Sequence, residues 1–367
     1  MRRGSFGPAR LLTAVALAGC VGAPAATSGQ SPATSSGLAP GVRVYVANQD
    51  DATVSIFDAG TLEPVTTVDL EALGFSSNAK PHHIVVEPDG SFWYLSLIGE
   101  NRILKLDRDN RIVGQTEFDV PGMLALDVDS DRLFVGRSMS AVNPPQRIGV
   151  IDRPSMTIEE VPVLYPRPHA LATHPGGDLV YSASLAENTM AVVDPVQGDV
   201  ALRSIPPPGA NGEGRGVHTV VQFAISPDGS WMVGTGELSG MLLVFDLSDP
   251  ARPELAKQVP VNGRPWHPVF SPDGRRVWFA NKGANTVTVV DTRTWTVADV
   301  VEGEGLAEPH GSAISPDGRF VFVSSNNLKG EYAAAPGTLT VIDAASHEIV
   351  RVLAVGANAA GVGTRAR

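Results

Sequence analysis

The chain holds a single cysteine, Cys20, in 367 residues, so no internal disulfide can staple it and its core alone must hold it. Cations are also scarce: 28 Lys and Arg stand against 39 Asp and Glu, a formal net charge of −11. A chain this acidic, with no basic stripe, has little to neutralise a phosphate backbone, which argues against nucleic acid as a partner. Long apolar runs are missing too, since the stretch over 11–18 is too short to span a bilayer and no other segment is more apolar. Several chemical signatures are absent: a Gly-x-Ser-x-Gly elbow, a Cys-x-x-Cys-His haem attachment, a His-Glu-x-x-His helix and a phosphate loop. The glycines of 209–216 do not follow a strand and open a helix, so they read as a loop. Neither haem c nor a nucleotide is expected.

What is present begins with Arg2, Arg3 and Arg10 around the apolar run, the pattern of a secretory signal. The run ends in Leu17-Ala18-Gly19-Cys20, which resembles the lipobox of bacterial lipoproteins. That resemblance implies cleavage before Cys20 and acylation of its sulfur; an ordinary signal peptide with a chance cysteine is the alternative. Residues 21–40 are almost wholly Ala, Ser, Thr, Gly and Pro, without charge or periodicity, and have nothing to offset the entropy of ordering. The expected organisation is a signal peptide over 1–19, a lipidated Cys20 with a flexible tether over 20–40, and one domain over 41–367. The protein would then be extracytoplasmic and anchored to a bacterial membrane through Cys20, on a periplasmic or surface face.

The domain is built on a repeat. A short alternating strand ended by aspartate occurs seven times, finishing at Asp58, Asp107, Asp152, Asp194, Asp246, Asp291 and Asp343. The copies lie roughly 40–50 residues apart, the period of one four-stranded propeller blade. Each is preceded by a second strand rich in aromatic and β-branched residues, such as Val44-Tyr45-Val46 and Val277-Trp278-Phe279. Upstream of that come Pro88-Asp89-Gly90, Pro227-Asp228-Gly229, Pro272-Asp273-Gly274 and Pro316-Asp317-Gly318, with Pro175-Gly176-Gly177 as a variant. Proline presets φ, aspartate bonds nearby backbone and glycine accepts positive φ, so each triplet makes a hairpin turn. The unit is four strands, and seven units predict an all-β, seven-bladed propeller. The domain opens on a second strand and ends, near 358–364, on a first. The first blade should therefore be completed by strands from both termini, closing the ring and removing its open edges.

The runs Val44-Tyr45-Val46-Ala47-Asn48, Val277-Trp278-Phe279-Ala280-Asn281 and Asn285-Thr286-Val287-Thr288-Val289-Val290-Asp291 resemble the bacterial propellers built from YVTN-type repeats. The resemblance implies the fold over nearly everything after residue 41. It does not select a function, because one propeller scaffold carries binding proteins, lactonases and redox enzymes.

Six of the eight histidines fall at or just before the start of a blade's first strand. His82, His169 and His310 follow prolines at one repeat position, His83 and His267 occupy the next, and His218 lies slightly earlier, after a glycine-rich loop. First strands line the central channel, so these side chains are expected to converge at its mouth, on the face that carries the long loops 138–146, 210–216 and 327–337. Imidazole ligates zinc, copper, nickel and iron, and a metal site of His82, His83, His169, His218, His267 and His310 is expected, with copper or zinc as the ion. The pattern is similar to the propeller half of nitrous oxide reductase, whose copper centre sits on inner-strand histidines, one pair adjacent as His82 and His83 are. This chain has six such residues where that family uses seven, and it lacks the cupredoxin domain, so it is not that enzyme. Three other readings stay open: a polar channel lining, a catalytic base in a lactonase-like hydrolase or oxidoreductase, and a protein-interaction scaffold. No residue is singled out as catalytic. His174 and His347 are read as structural, since both sit at turns.

Overall fold

The computed structural model describes residues 41–177, 179–207, 216–261, 263–329 and 335–365. The expected signal segment, Cys20 and the expected tether, like most of the 210–216 loop, lie outside the described residues. Among the described residues twenty-eight strands form seven four-stranded antiparallel sheets, the propeller that the repeat predicts. No helix among the described residues is long and apolar enough to cross a membrane.

Blade 1 orders its strands as β28 (Ala359–Gly363), β1 (Arg43–Asn48), β2 (Thr53–Asp58) and β3 (Pro64–Asp69). The last strand of the chain is thus the innermost strand of the first blade, and the ring is closed by its own termini. Blade 2 shows the regular unit: β4 (Pro81–Val86), β5 (Phe92–Leu97), β6 (Arg102–Asp107) and β7 (Ile112–Glu117), in order from the channel outward. The innermost strands used below are β8 (Pro121–Leu126), β12 (Pro168–Thr173), β16 (Val220–Ile225), β20 (Pro265–Phe270) and β24 (Pro309–Ile314).

Burial explains the sequence pattern. Second and third strands are covered on both faces by neighbouring blades and read as nearly continuous apolar runs, whereas β3 keeps only Val68 buried. The core is accordingly seven separate clusters, one per blade–blade interface. Between blades 1 and 2, Tyr45, Val54 and Ile56 meet Trp93, Leu95 and Leu106. Between blades 7 and 1, Val44, Val46 and Phe57 meet Phe322, Leu339 and Val341. The aspartates close the turn after each third strand: Asp58, Asp194, Asp246 and Asp343 each accept the backbone N–H two residues on. In the Pro-Asp-Gly turns Gly90, Gly229, Gly274 and Gly318 all have φ near +70°, where a side chain would be strained.

Candidate functional site

Every innermost strand slips register close to its start. Pro81 faces Leu97 but Ile84 faces Leu95; Trp266 faces Ala280 but Val269 faces Trp278; Pro309 faces Ser325 but Ser312 faces Val323. The other four blades repeat the slip. A β-bulge re-aims the side chains it carries, and His82, His83, His169, His267 and His310 are all bulge residues. His218 is not. It precedes β16 by two residues, and Val221 and Gln222 occupy that blade's bulge.

Backbone strain marks one of these positions. A left-handed residue stands immediately before six of the innermost strands: Lys80, Val120, Arg167, Thr219, Glu308 and Asn358. In blade 6 the conformation falls instead inside the strand, on His267 at φ +26°, just ahead of Pro268, where a following proline already narrows the choices. Strain of this kind persists only where the surroundings over-determine it.

The rings gather inside the channel, not at a solvated mouth. His82, His169, His267 and His310 are all buried, at 1–6 % exposure, and His83 is half-buried. Ring centroids lie 4.9 Å apart for His267–His310, 5.6 Å for His82–His310 and 5.8 Å for His83–His267. His169 is near enough to depress protonation of His82, His83 and His267. His218 does not join them: one ring nitrogen meets Ser239 Oγ at 3.0 Å and the other the Pro206 carbonyl at 2.9 Å. His174 and His347 lie apart as well, against the Gly229 carbonyl and Asp299.

Neighbours fix the tautomers. His169 donates from Nδ1 to the Arg137 carbonyl at 2.6 Å, which leaves Nε2 with a free lone pair. His83 Nδ1 accepts the Leu124 N–H at 3.2 Å, so its Nε2 carries the proton. His82 Nδ1 lies 2.6 Å from Gln49 Nε2; either partner donates, depending on which way the amide is turned. His267 Nε2 and His310 Nδ1 are buried with no hydrogen-bond partner. Burial above all, and then the nearness of the other rings and of Lys282, keeps the set neutral. His83 is pushed down to about 3 and His169 to about 4, while His82, His267 and His310 fall well below the usual imidazole range.

Lys282 covers the cluster. Its Nζ stands 4.2 Å from the Trp266 ring, and Trp266 in turn stands 4.4 Å from His310. Burial lowers the ammonium to about 8, against the pull of Glu308 and Glu237. Gln49 and Lys282 went unread in the sequence, yet a signal existed: each directly follows the asparagine that ends a second strand, Asn48 and Asn281. As they stand, no three His, Cys, Asp or Glu side chains among the described residues are disposed to hold one metal ion.

A seven-bladed β-propeller lactonase family matches residues 113–348. The chain belongs to the lactonase family. No curated protein matches it. Among solved structures, this lactonase-family ring is similar to a functionally unknown protein from Desulfotomaculum acetoxidans, with TM-score 0.66 and 16% identity over 88% of this chain and 99% of that one. It is also similar to the hydrazine synthase of Kuenenia stuttgartiensis, with TM-score 0.62 and 18% identity over 77% and 89% of the two chains. A third likeness is to apo AztD from Citrobacter koseri, with TM-score 0.61 and 11% identity over 88% and 97%. At these identities the likeness is one of fold.

Proposed function

We propose that this lactonase-family propeller is a binding protein that holds a borderline transition-metal ion, copper or zinc, within its channel through His82, His267 and His310, with His169 as a further ligand. The observation that carries the reading is the pair of buried, unpartnered nitrogens, His267 Nε2 and His310 Nδ1, within a set of neutral imidazoles. Leaving a buried polar atom unpaired costs roughly 1–3 kcal/mol, and a cation would relieve two such costs at once. Spacing agrees with this donor set. With metal–nitrogen bonds of about 2.0–2.1 Å, ring centroids around a tetrahedral ion stand ~5 Å apart, close to the 4.9 and 5.6 Å seen here. What the rings lack is a common aim, which rotation about their Cβ–Cγ bonds would supply.

His83 and His218 serve this reading as supports, because their hydrogen bonds leave no lone pair free. His169 has the second-shell arrangement typical of a ligand, with one nitrogen fixed by a carbonyl and the other bare. Glu237 and Glu308 oppose the charge of Lys282 and so temper its repulsion of a cation. A bound ion would supply Lewis acidity toward an oxygen ligand. The family match over 113–348 favours a second reading, lactone hydrolysis with a neutral channel histidine as base.

The metal reading is tested by dialysing protein without an affinity His-tag against copper or zinc and counting bound metal. Wild type should take up one equivalent, and the His267→Ala/His310→Ala double variant should bind at least 100-fold more weakly with its fold intact. Wild-type protein that binds neither ion would defeat it.

The anchoring proposal rests on Leu17-Ala18-Gly19-Cys20. Mature protein should begin at an acylated Cys20 and fractionate with membranes, whereas Cys20→Ala should escape acylation. An unmodified Cys20 in the mature wild-type protein would refute this.

A further inference from the structure

The histidine layer sets a fixed cation beside the ion proposed for it. Lys282 Nζ lies 4.2 Å from the Trp266 ring, and that ring lies 4.4 Å from His310 and 5.9 Å from His267. The ammonium is near enough to depress protonation of His310, His267 and His82. A metal ion on these rings would therefore face a like charge where water screens little, and the repulsion there is large.

The nearby carboxylates do not pair with Lys282 directly. Glu308 Oε1 stands 3.0 Å from Lys329 Nζ, and its Oε2 accepts the Leu328 N–H at 2.8 Å. Glu237 Oε1 faces Arg264 at 3.6 Å. Both attract Lys282 from farther off, but among the described residues its ammonium makes no ion pair or hydrogen bond of its own. A second donor is idle beside it, since Trp266 Nε1–H is buried without a partner. Buried charges and donors are normally paired, so this layer has donors with nothing to accept from them, next to the unpartnered nitrogens of His267 and His310.

We propose that the layer takes up its metal ion together with a small monocarboxylate, one oxygen on the metal and the other accepting from Lys282. The inference rests on the metal reading and names the ion's co-ligand. An anion between two cations turns their repulsion into two attractions, and a charge-assisted hydrogen bond to the ammonium adds to them. A carboxylate has two oxygens for the two cations, whereas chloride has one centre. A phosphate dianion would bring a second negative charge up to Glu308 and Glu237.

The probe is acetate, added to copper-loaded, tag-free full-length protein at an ionic strength held constant with perchlorate. Wild type should show a saturable one-to-one shift of the copper visible band and hold copper at least tenfold more tightly in acetate than in perchlorate alone. Lys282→Met keeps the aliphatic stem and removes the charge. It should bind copper in perchlorate more tightly than wild type does, because the repulsion is gone, and lose the acetate enhancement; Lys282→Arg should retain that enhancement. Copper uptake by wild type that is indifferent to acetate overturns the co-ligand and leaves the metal reading standing. No copper uptake in either buffer defeats the metal reading, and the co-ligand with it. A full acetate response in Lys282→Met overturns the part given to Lys282, and an equal response to chloride or phosphate overturns the carboxylate.

Discussion

Deleting residues 358–367 should leave no monomeric propeller. β28 pairs with β1 through Tyr45–Gly363, Val46–Val362 and Asn48–Ala359, and it brings Ala359 and Val362 into the apolar cluster between blades 7 and 1. Its carbonyls are acceptors for blade 7: Asn326 Nδ2 donates to Ala359 O at 2.6 Å, and Ser324 Oγ donates to Ala360 O. Thr364 Oγ1 donates to the Arg43 carbonyl at 2.9 Å. Without the strand, β1 presents a row of unpaired N–H and C=O groups, the template on which chains pair with one another. The blade 7–blade 1 interface also loses part of its apolar cover. Size-exclusion chromatography and circular dichroism should therefore find aggregate or unfolded chain. A truncated protein that is monomeric and melts like wild type would show that closure depends on something else.

The second large effect is acid lability beginning near neutrality. A histidine whose folded-state pKa lies below its unfolded value binds fewer protons when folded, so falling pH favours the unfolded chain. The loss starts as pH drops below the unfolded value of about 6.5 and continues to the folded one. That window runs to about 3 for His83 and about 4 for His169. Each buried histidine then removes up to about 1.4 kcal/mol of stability per pH unit, and His82, His267 and His310 shift in the same direction. The turn aspartates Asp228, Asp246 and Asp273 are shifted downward, so their contribution is lost only at lower pH. Urea unfolding of metal-free protein between pH 6.5 and 5 thus isolates the histidines. Wild type should lose several kcal/mol over that range, and His83→Asn/His169→Asn should show a shallower slope. A flat profile would mean that the rings titrate as they do in water.

The blade count was legible because two local signals recur with the repeat: an aspartate that must cap a turn, as Asp58 and Asp246 do, and a glycine that must accept positive φ, as Gly274 and Gly318 do. Ring closure was legible from phase alone, since a domain that starts on a second strand needs its first strand from elsewhere. The site was legible only in part. Position at the start of each repeat's first strand finds the histidines of the innermost strands but not their depth: the expected solvated mouth is a buried layer, covered by Trp266 and Lys282. His218 shares the histidine-rich approach to a blade but stands outside the strand, two residues before β16, where Val221 and Gln222 hold the bulge. The partners that fix the tautomers, the Arg137 carbonyl and the Leu124 N–H, come from neighbouring blades and have no motif of their own.

X-ray absorption at the metal edge of copper- or zinc-loaded, tag-free protein tests the central claim most directly. The account predicts three or four nitrogen neighbours at about 2.0–2.1 Å, with the outer-shell scattering of imidazole rings, and loss of that signal in the His267→Ala/His310→Ala variant. An oxygen-only shell, or an imidazole signal unchanged in that variant, would contradict it.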